Sequence, residues 1–209
     1  MNEVRFRPLQ DPHAKLADLR RRDLNFDLST LRAGDPAWRI DEYRQMLPSE
    51  SPGRPLRGGS WDTARAICAD YGFVDDSLVH AIYDPEDPLE DRTMLLEVHF
   101  WGLLIYAPVR VHEVFDGARS HDGKEARVWG WNYGTLEGHF EMGQIEYEVW
   151  KWLESGEVEF RINAISKAAP IPNPVLRIGF ALFGRRKQVQ FAQRACNRMA
   201  LLTSEAMDR

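Results

Sequence analysis

Between residues 77 and 166 the apolar positions recur at every second residue, and on either side of that stretch they recur at helical spacing. The alternation predicts strands over 77–83, 93–101, 103–115 with a bend at Pro108, 125–133, 144–153 and 157–166. Glu154-Ser155-Gly156 joins the last two runs with tight-turn residues, which makes that pair an antiparallel hairpin. Ahead of the strands, Pro12 to Leu24 reads as a helix with Leu16 and Leu19 apolar. Arg20-Arg21-Arg22 stands near its end, where cations suit the helix dipole. Ser60 to Tyr71 reads as a second helix, with Ser60 as its cap and Gly72 as its stop. The intervening 25–59 is rich in Pro, Asp, Gly and Ser, with a short helical piece around Tyr43 and Met46. Its apolar anchors Phe26, Trp38 and Ile40 predict an ordered wrap over the domain surface. A Pro-rich bend, Pro170-Ile171-Pro172-Asn173-Pro174, leads into a helix from about Val175 to Ala206, with Gly184 a point of interruption. Val189, Ala192, Cys196, Met199 and Leu202 form one apolar stripe on it.

Helices, then consecutive strands, then one long amphipathic helix make an α+β chain. The arrangement that buries the stripe is a strongly curved antiparallel sheet of about six or seven strands gripping the C-terminal helix. The small residues Ala192, Ala195 and Cys196 leave room for a cavity beneath it; a sheet flattened on the helix, without a hollow, is the other solution. The 209 residues suit one domain, with 1–59 as N-terminal helix and wrap and 60–209 as the helix-grip core. An apolar share of 44% and a charged share of 28% are those of a soluble globular protein. A net charge of -5 argues against nucleic acid as a partner. Cys68 and Cys196 lie far apart in apolar settings, which fits two buried thiols in a reducing compartment. The first residues lack the apolar core of a signal peptide, and no run approaches the roughly 20 apolar residues of a membrane helix. A cytoplasmic protein with no stable membrane insertion is expected.

Candidate chemistry concentrates in Tyr133-Gly134-Thr135-Leu136-Glu137-Gly138-His139-Phe140-Glu141-Met142-Gly143, a connection with more glycine, histidine and carboxylate than a chain reversal needs. In an extended segment His139 and Glu141 point to one side, where they can orient a ligand hydroxyl or exchange a proton; a purely structural role for His139 is the alternative. His139, Glu141 and His112 have no compact ligand spacing, so neither a metal nor another cofactor is expected. Trp129, Trp131 and Tyr133 alternate and share one face, as do Glu97, His99 and Trp101 on an earlier strand and Arg161 and Asn163 on a later one. Aromatic area with a few polar groups suits a small-molecule cavity, although the same alternation also describes a sheet's outer face. Arg110, set between Val109 and Val111, either pairs with an acid such as Glu141 or Glu97 or holds a ligand carboxylate. Arg185, Arg186, Lys187, Arg194 and Arg198 give the last helix a basic, solvated side. No phosphate-cradling glycine loop and no nucleophile elbow is present.

The segment Asn132 to Gly143 resembles the signature of uncharacterised protein family 0548, approximately Tyr-x-Thr-Leu-x-Gly-His-Pro-Glu-x-Gly-Glu. Similarity extends to Leu24-Asn25-Phe26-Asp27, to Val109-Arg110-Val111, and to Phe183-Gly184-Arg185-Arg186 through Arg198-Met199, so it spans about 24–203. Phe140 replaces the usual Pro and Gln144 the usual Glu, which removes a second carboxylate while His139 and Glu141 remain. The resemblance implies a START-like, Bet v 1-like helix-grip fold, a group whose members commonly hold lipids, hormones or polyketide-like molecules and include some enzymes. Three readings follow. The first is a binding protein for a predominantly apolar or lipid-like molecule, with Arg110, Trp129, Trp131, Tyr133, His139, Glu141, Arg161 and Asn163 as candidate contacts. The second is an enzyme on the same scaffold with His139 as acid or base. The third is an assembly protein, such as a homodimer, with the Trp-rich face as its interface.

Overall fold

A computed structural model describes residues 3–5, 7–27, 29, 35–100, 102–170 and 174–208; of Glu3, Phe100 and residues 174–183 it describes the backbone alone. Among the described residues eight antiparallel strands form one sheet: β1 (Glu3–Arg5), β2 (Arg39–Leu47), β3 (Val79–Ile82), β4 (Thr93–Phe100), β5 (Leu103–His121), β6 (Lys124–Thr135), β7 (Glu141–Trp152) and β8 (Val158–Ala168). Their order is β2-β8-β7-β6-β5-β4-β3, with β1 paired to β5. The helices are α1 (Pro12–Leu19), α2 (Ser60–Ala69) and α3 (Pro174–Met207). This is the α+β helix-grip architecture expected from the sequence.

Several elements differ from the sequence reading. α1 ends at Leu19 rather than Leu24, so Arg20-Arg21-Arg22 lie beyond the helix; β5 runs on to His121 rather than ending near Phe115; and β1 was not expected. The wrap contains β2, a nine-residue edge strand, where a short helical piece was expected around Tyr43 and Met46. Its odd positions turn inward and its even positions outward, a period of two masked by the charge on both sides. α3 runs unbroken through Gly184, because tertiary packing along the helix outweighs the roughly 1 kcal/mol that a glycine costs. α2 is capped from a distance: Gly59 is the N-cap without a side chain to offer, and the Glu50 carboxylate accepts the Trp61 N–H at 2.8 Å. Glu50 in turn holds the Lys151 ammonium, and both are buried. The Glu154-Ser155-Gly156 turn does join β7 and β8 as a hairpin. Trp101, Ile171, Pro172 and Asn173 lie outside the described residues.

α2 and α3 both cover the inner face of the sheet. Ala192, Ala195, Cys196 and Met199 of α3 share one core with Trp131, Tyr147, Phe160 and Ile162. Two indoles fasten α2 to the sheet, Trp61 Nε1 donating to the Val149 carbonyl and Trp131 Nε1 to that of Cys68, each at 3.1 Å. α1 packs on the opposite, outer face, where Leu16 and Leu19 meet Leu95, Tyr106 and Leu136. Covering both faces explains why the strands are apolar on both sides and why alternation alone left the inner face undetermined.

Candidate functional site

A hollow of about 380 Å³ separates the inner face of the sheet from α3. Most of its wall is apolar, with Val79, Leu96, Val98, Ile105 and Ile162 from the sheet and Phe191 from the helix. Polar groups gather at one end, where the segment between β6 and β7 meets β2 and the first half of α3: Asp41, Tyr133, His139, Glu141, Lys187 and Gln188.

The glycine-rich segment is held by the chain that precedes β2. Asn25 donates its N–H to the Thr135 carbonyl at 3.1 Å, its Oδ1 accepts the Thr135 hydroxyl at 2.6 Å, and its Nδ2 donates to the Glu141 carbonyl at 2.9 Å. Gly134 admits Leu24 and Phe26 above it, since a Cβ there would stand 2.8 Å from Leu24 Cδ2 and 3.1 Å from the Phe26 ring. Leu24-Asn25-Phe26-Asp27 and the signature thus form one packed unit.

Within that unit His139 Nδ1 faces the backbone of Glu141, 2.9 Å from its N–H and 3.1 Å from its carbonyl oxygen. Burial lowers the imidazole to about 4, against an opposing pull from the Glu141 carbonyl, so His139 is neutral at physiological pH. Glu141 accepts a hydrogen bond from Gln188 Nε2 of α3. Burial raises its carboxyl to about 7, and Asp41 adds to that, while Gln188, Arg39 and Arg185 act against it. Asp41 itself is held by Arg185 through two hydrogen bonds of 2.5 and 2.6 Å. Deeper in, the Tyr147 hydroxyl lies 3.4 Å from those of Tyr71 and Tyr133, and burial raises all three well above or above the ordinary phenol value. The polar end therefore offers the neutral His139, Tyr133 and Gln188 beside one carboxyl poised between its two forms, with Lys187 and the ion-paired Asp41 next to them.

The sequence-derived candidates separate into three groups. Tyr133, His139 and Glu141 stand on the cavity wall. Trp129 and Trp131 are on the inner face but in the packed core against α2, and Arg65 lies 5.9 Å from the Trp129 ring centre. Arg110, Arg161 and Asn163 occupy the outer face and do not reach the hollow. Arg161 stacks 3.9 Å over Trp150 and pairs with Glu159 at 2.5 Å; Asn163 donates to Glu148 at 3.0 Å. Arg110 directs Nη2 at the carbonyls of Leu19, Arg20 and Arg22, at 3.1, 2.9 and 3.0 Å, where α1 ends. Arg110→Ala is expected to lower stability by about 1–3 kcal/mol in urea unfolding, while the hollow on the other face is unchanged. Glu97 and His99 also face outward, 3.0 Å apart. Among the described residues no cluster of three or more His, Cys, Asp or Glu is placed to hold a metal ion. Tyr71 and Gln188 joined the site only through the fold; one follows α2 and the other rides α3, and no spacing links them to the signature.

A helix-grip domain with an internal, mostly apolar hollow is the class this geometry defines. The chain belongs to the family described as a domain of unknown function, DUF1990, whose model matches residues 27–198. No curated protein matches the sequence. Solved structures with a similar course include the crystal structure of Ara h 8.0201, at 8% identity and a TM-score of 0.44, covering 82% of this chain and 99% of that one. An uncharacterised protein from Rhizobium leguminosarum is similar at 10% identity and a TM-score of 0.36, covering 80% and 98%. Among the described residues no helix is long and apolar enough to cross a membrane.

Proposed function

We propose that the 209 residues act as one cytoplasmic binding domain that holds a predominantly apolar, lipid-like small molecule between sheet and α3. The observation that carries this reading is the hollow itself. Its volume of about 380 Å³ falls within the roughly 300–1,000 Å³ of small-molecule sites, and its wall is apolar except at one end. His139, Glu141 and Tyr133 are the groups at that end that orient the ligand's polar atom, with Gln188 beside them. The resemblance to uncharacterised protein family 0548, and through it to START-like and Bet v 1-like proteins, points the same way. Two buried thiols, Cys68 and Cys196, fit a reducing compartment.

Acid–base chemistry is the second reading, and the geometry favours Glu141 over His139 for it. The His139 ring is neutral and its Nδ1 is taken up by the Glu141 backbone, whereas a carboxyl near 7 can give or take a proton at working pH.

Native mass spectrometry of the purified protein, repeated after denaturation, tests binding directly: a co-purifying mass that leaves on denaturation is expected. A neutral fluorescent probe, N-phenyl-1-naphthylamine, gives the companion measurement. Ala192 lines the hollow with only 3% of its surface exposed, so Ala192→Trp places an indole inside it. The variant is expected to fold and to lose at least tenfold in probe affinity, about 1.4 kcal/mol. A folded Ala192→Trp variant with full probe binding would overturn the cavity as the site.

A further inference from the structure

β2 is an edge strand, and among the described residues it pairs with β8 alone. Its outward positions Ile40, Glu42, Arg44 and Met46 are all exposed. Ile40 at 69% and Met46 at 50% are among the few large hydrophobic side chains left in solvent, and they flank two opposite charges on one strand face. Neither Glu42 nor Arg44 makes an ion pair among the described residues. An open edge of this length is a template for another strand; β2 carries no proline or bulge, and the charges it turns outward, Glu42 and Arg44, are of opposite sign, so they deter a partner strand only where like meets like.

We propose that β2 is a homodimerisation edge, pairing antiparallel with β2 of a second copy about a two-fold axis at Tyr43. Directly opposed residues of an antiparallel pair lie on the same sheet face, so an axis at a residue keeps the outer faces continuous, and one between residues does not. With the axis at Tyr43, Glu42 opposes the second copy's Arg44 and Ile40 opposes its Met46, and the two-fold repeats both pairs. On the inner side Asp41 opposes Gln45. An axis at Glu42 instead sets Glu42 against itself and Ile40 against Arg44. An axis at Arg44 sets Arg44 against itself and Glu42 against Met46. Both place like charge on like charge, which destabilises a strand pair. Of the registers with an axis at a residue of this strand, only the one at Tyr43 sets Glu42 against Arg44 and Ile40 against Met46.

The surface differs from the Trp-rich face that the sequence suggested for assembly, because Trp129 and Trp131 are buried in the core. It also adjoins the cavity. Asp41 and Tyr43 line the hollow, and Arg185 of α3 is anchored on Asp41, so pairing sets two cavities side by side and braces the strand from which α3 is held. A nine-residue strand pair lies at the small end of interface sizes, so the dimer is expected to be concentration-dependent.

Sedimentation velocity of the full chain over a concentration series tests this, with a charge exchange as the discriminating step. Wild type is expected to move from monomer to dimer. Glu42→Arg and Arg44→Glu, each facing like charge across the axis, are expected to remain monomeric. The double exchange Glu42→Arg/Arg44→Glu restores opposed charges and is expected to dimerise again. Should either single variant fold poorly by circular dichroism, Ile40→Lys replaces it, since that side chain stands in solvent. A wild type that stays monomeric at its highest soluble concentration overturns the proposal, as do folded single variants that dimerise or a double variant that does not recover.

Discussion

Gly143→Ala is expected to destabilise the fold by about 3–5 kcal/mol, the far end of what single substitutions cost. Two independent penalties combine at this position. Gly143 sits at φ +146°, a backbone conformation that residues with a side chain rarely adopt. A Cβ built there would also stand 2.0 Å from the Ile165 carbonyl oxygen and 2.9 Å from the Ser166 Cα. Both neighbours are backbone atoms of β8, in direct register with β7, so no rotamer change relieves the clash. Relief requires β7 to part from β8 beside Glu141, at the polar end of the hollow. Gly134 is the useful contrast. Its nearest obstacle is the end of the Leu24 side chain, which can turn away, so Gly134→Ala is expected to cost only about 1–2 kcal/mol. Urea unfolding of the two variants measures the difference, and a Gly143→Ala loss below that of Gly134→Ala would refute the account.

The glycines of the signature were visible in the chain, but their reasons were not. Gly143 is demanded by a strand more than twenty residues away in sequence, and Gly134 by side chains from the N-terminal segment. The period-two runs gave β3 to β8 where one face is buried; they stopped short on β5, whose end beyond Phe115 has no buried face. They failed at β2, where the inward positions Asp41 and Tyr43 line a cavity and Gln45 is polar, so the strand lacks an apolar side. They also left the inner face undetermined. Arg161 is as buried as Trp129, because it is sealed by Trp150 and Glu159 on the outer face rather than by α3. Burial of a polar residue by its strand neighbours leaves no mark in spacing. His139 and Glu141 could be named from the sequence because they are two apart in one segment. Gln188, whose amide holds Glu141, could not, since that contact depends on how far α3 extends over β2.

His139 and Glu141 should have opposite effects on stability against pH, and their near cancellation in the wild type is the second large expected effect. The Glu141 carboxyl titrates near 7 in the fold against 4.5 in the unfolded chain. Between those values the folded state keeps a proton that the unfolded state releases. This stability is fully present below pH 4.5 and is lost as pH rises through 7, by about 3 kcal/mol in all. His139 runs the other way. Its ring titrates near 4 in the fold against 6.5 unfolded, so its contribution is present above pH 6.5 and is lost as pH falls through 4, again by about 3 kcal/mol. From pH 4.5 to 6.5 the two slopes oppose each other. Glu141→Gln keeps an acceptor for Gln188 but removes the titration, so its stability should fall on acidification more steeply than that of wild type. His139→Asn keeps a hydrogen-bonding group for the Glu141 backbone, and its stability should fall as pH rises from 4.5 to 7. Glu146, which burial also raises to about 7, is present in all three proteins and drops out of each difference from wild type. Urea unfolding at half-unit pH steps gives the two difference curves, and curves that run parallel would show that neither group is buried as described. The same balance bears on the proposed ligand. With His139 neutral and Glu141 near its midpoint at pH 7, a molecule with a hydroxyl or carbonyl end meets a protonated carboxyl without separating charge. Binding of such a molecule should draw Glu141 toward its protonated form and weaken as pH rises above 7, whereas Glu141→Gln should hold its affinity constant over the same range.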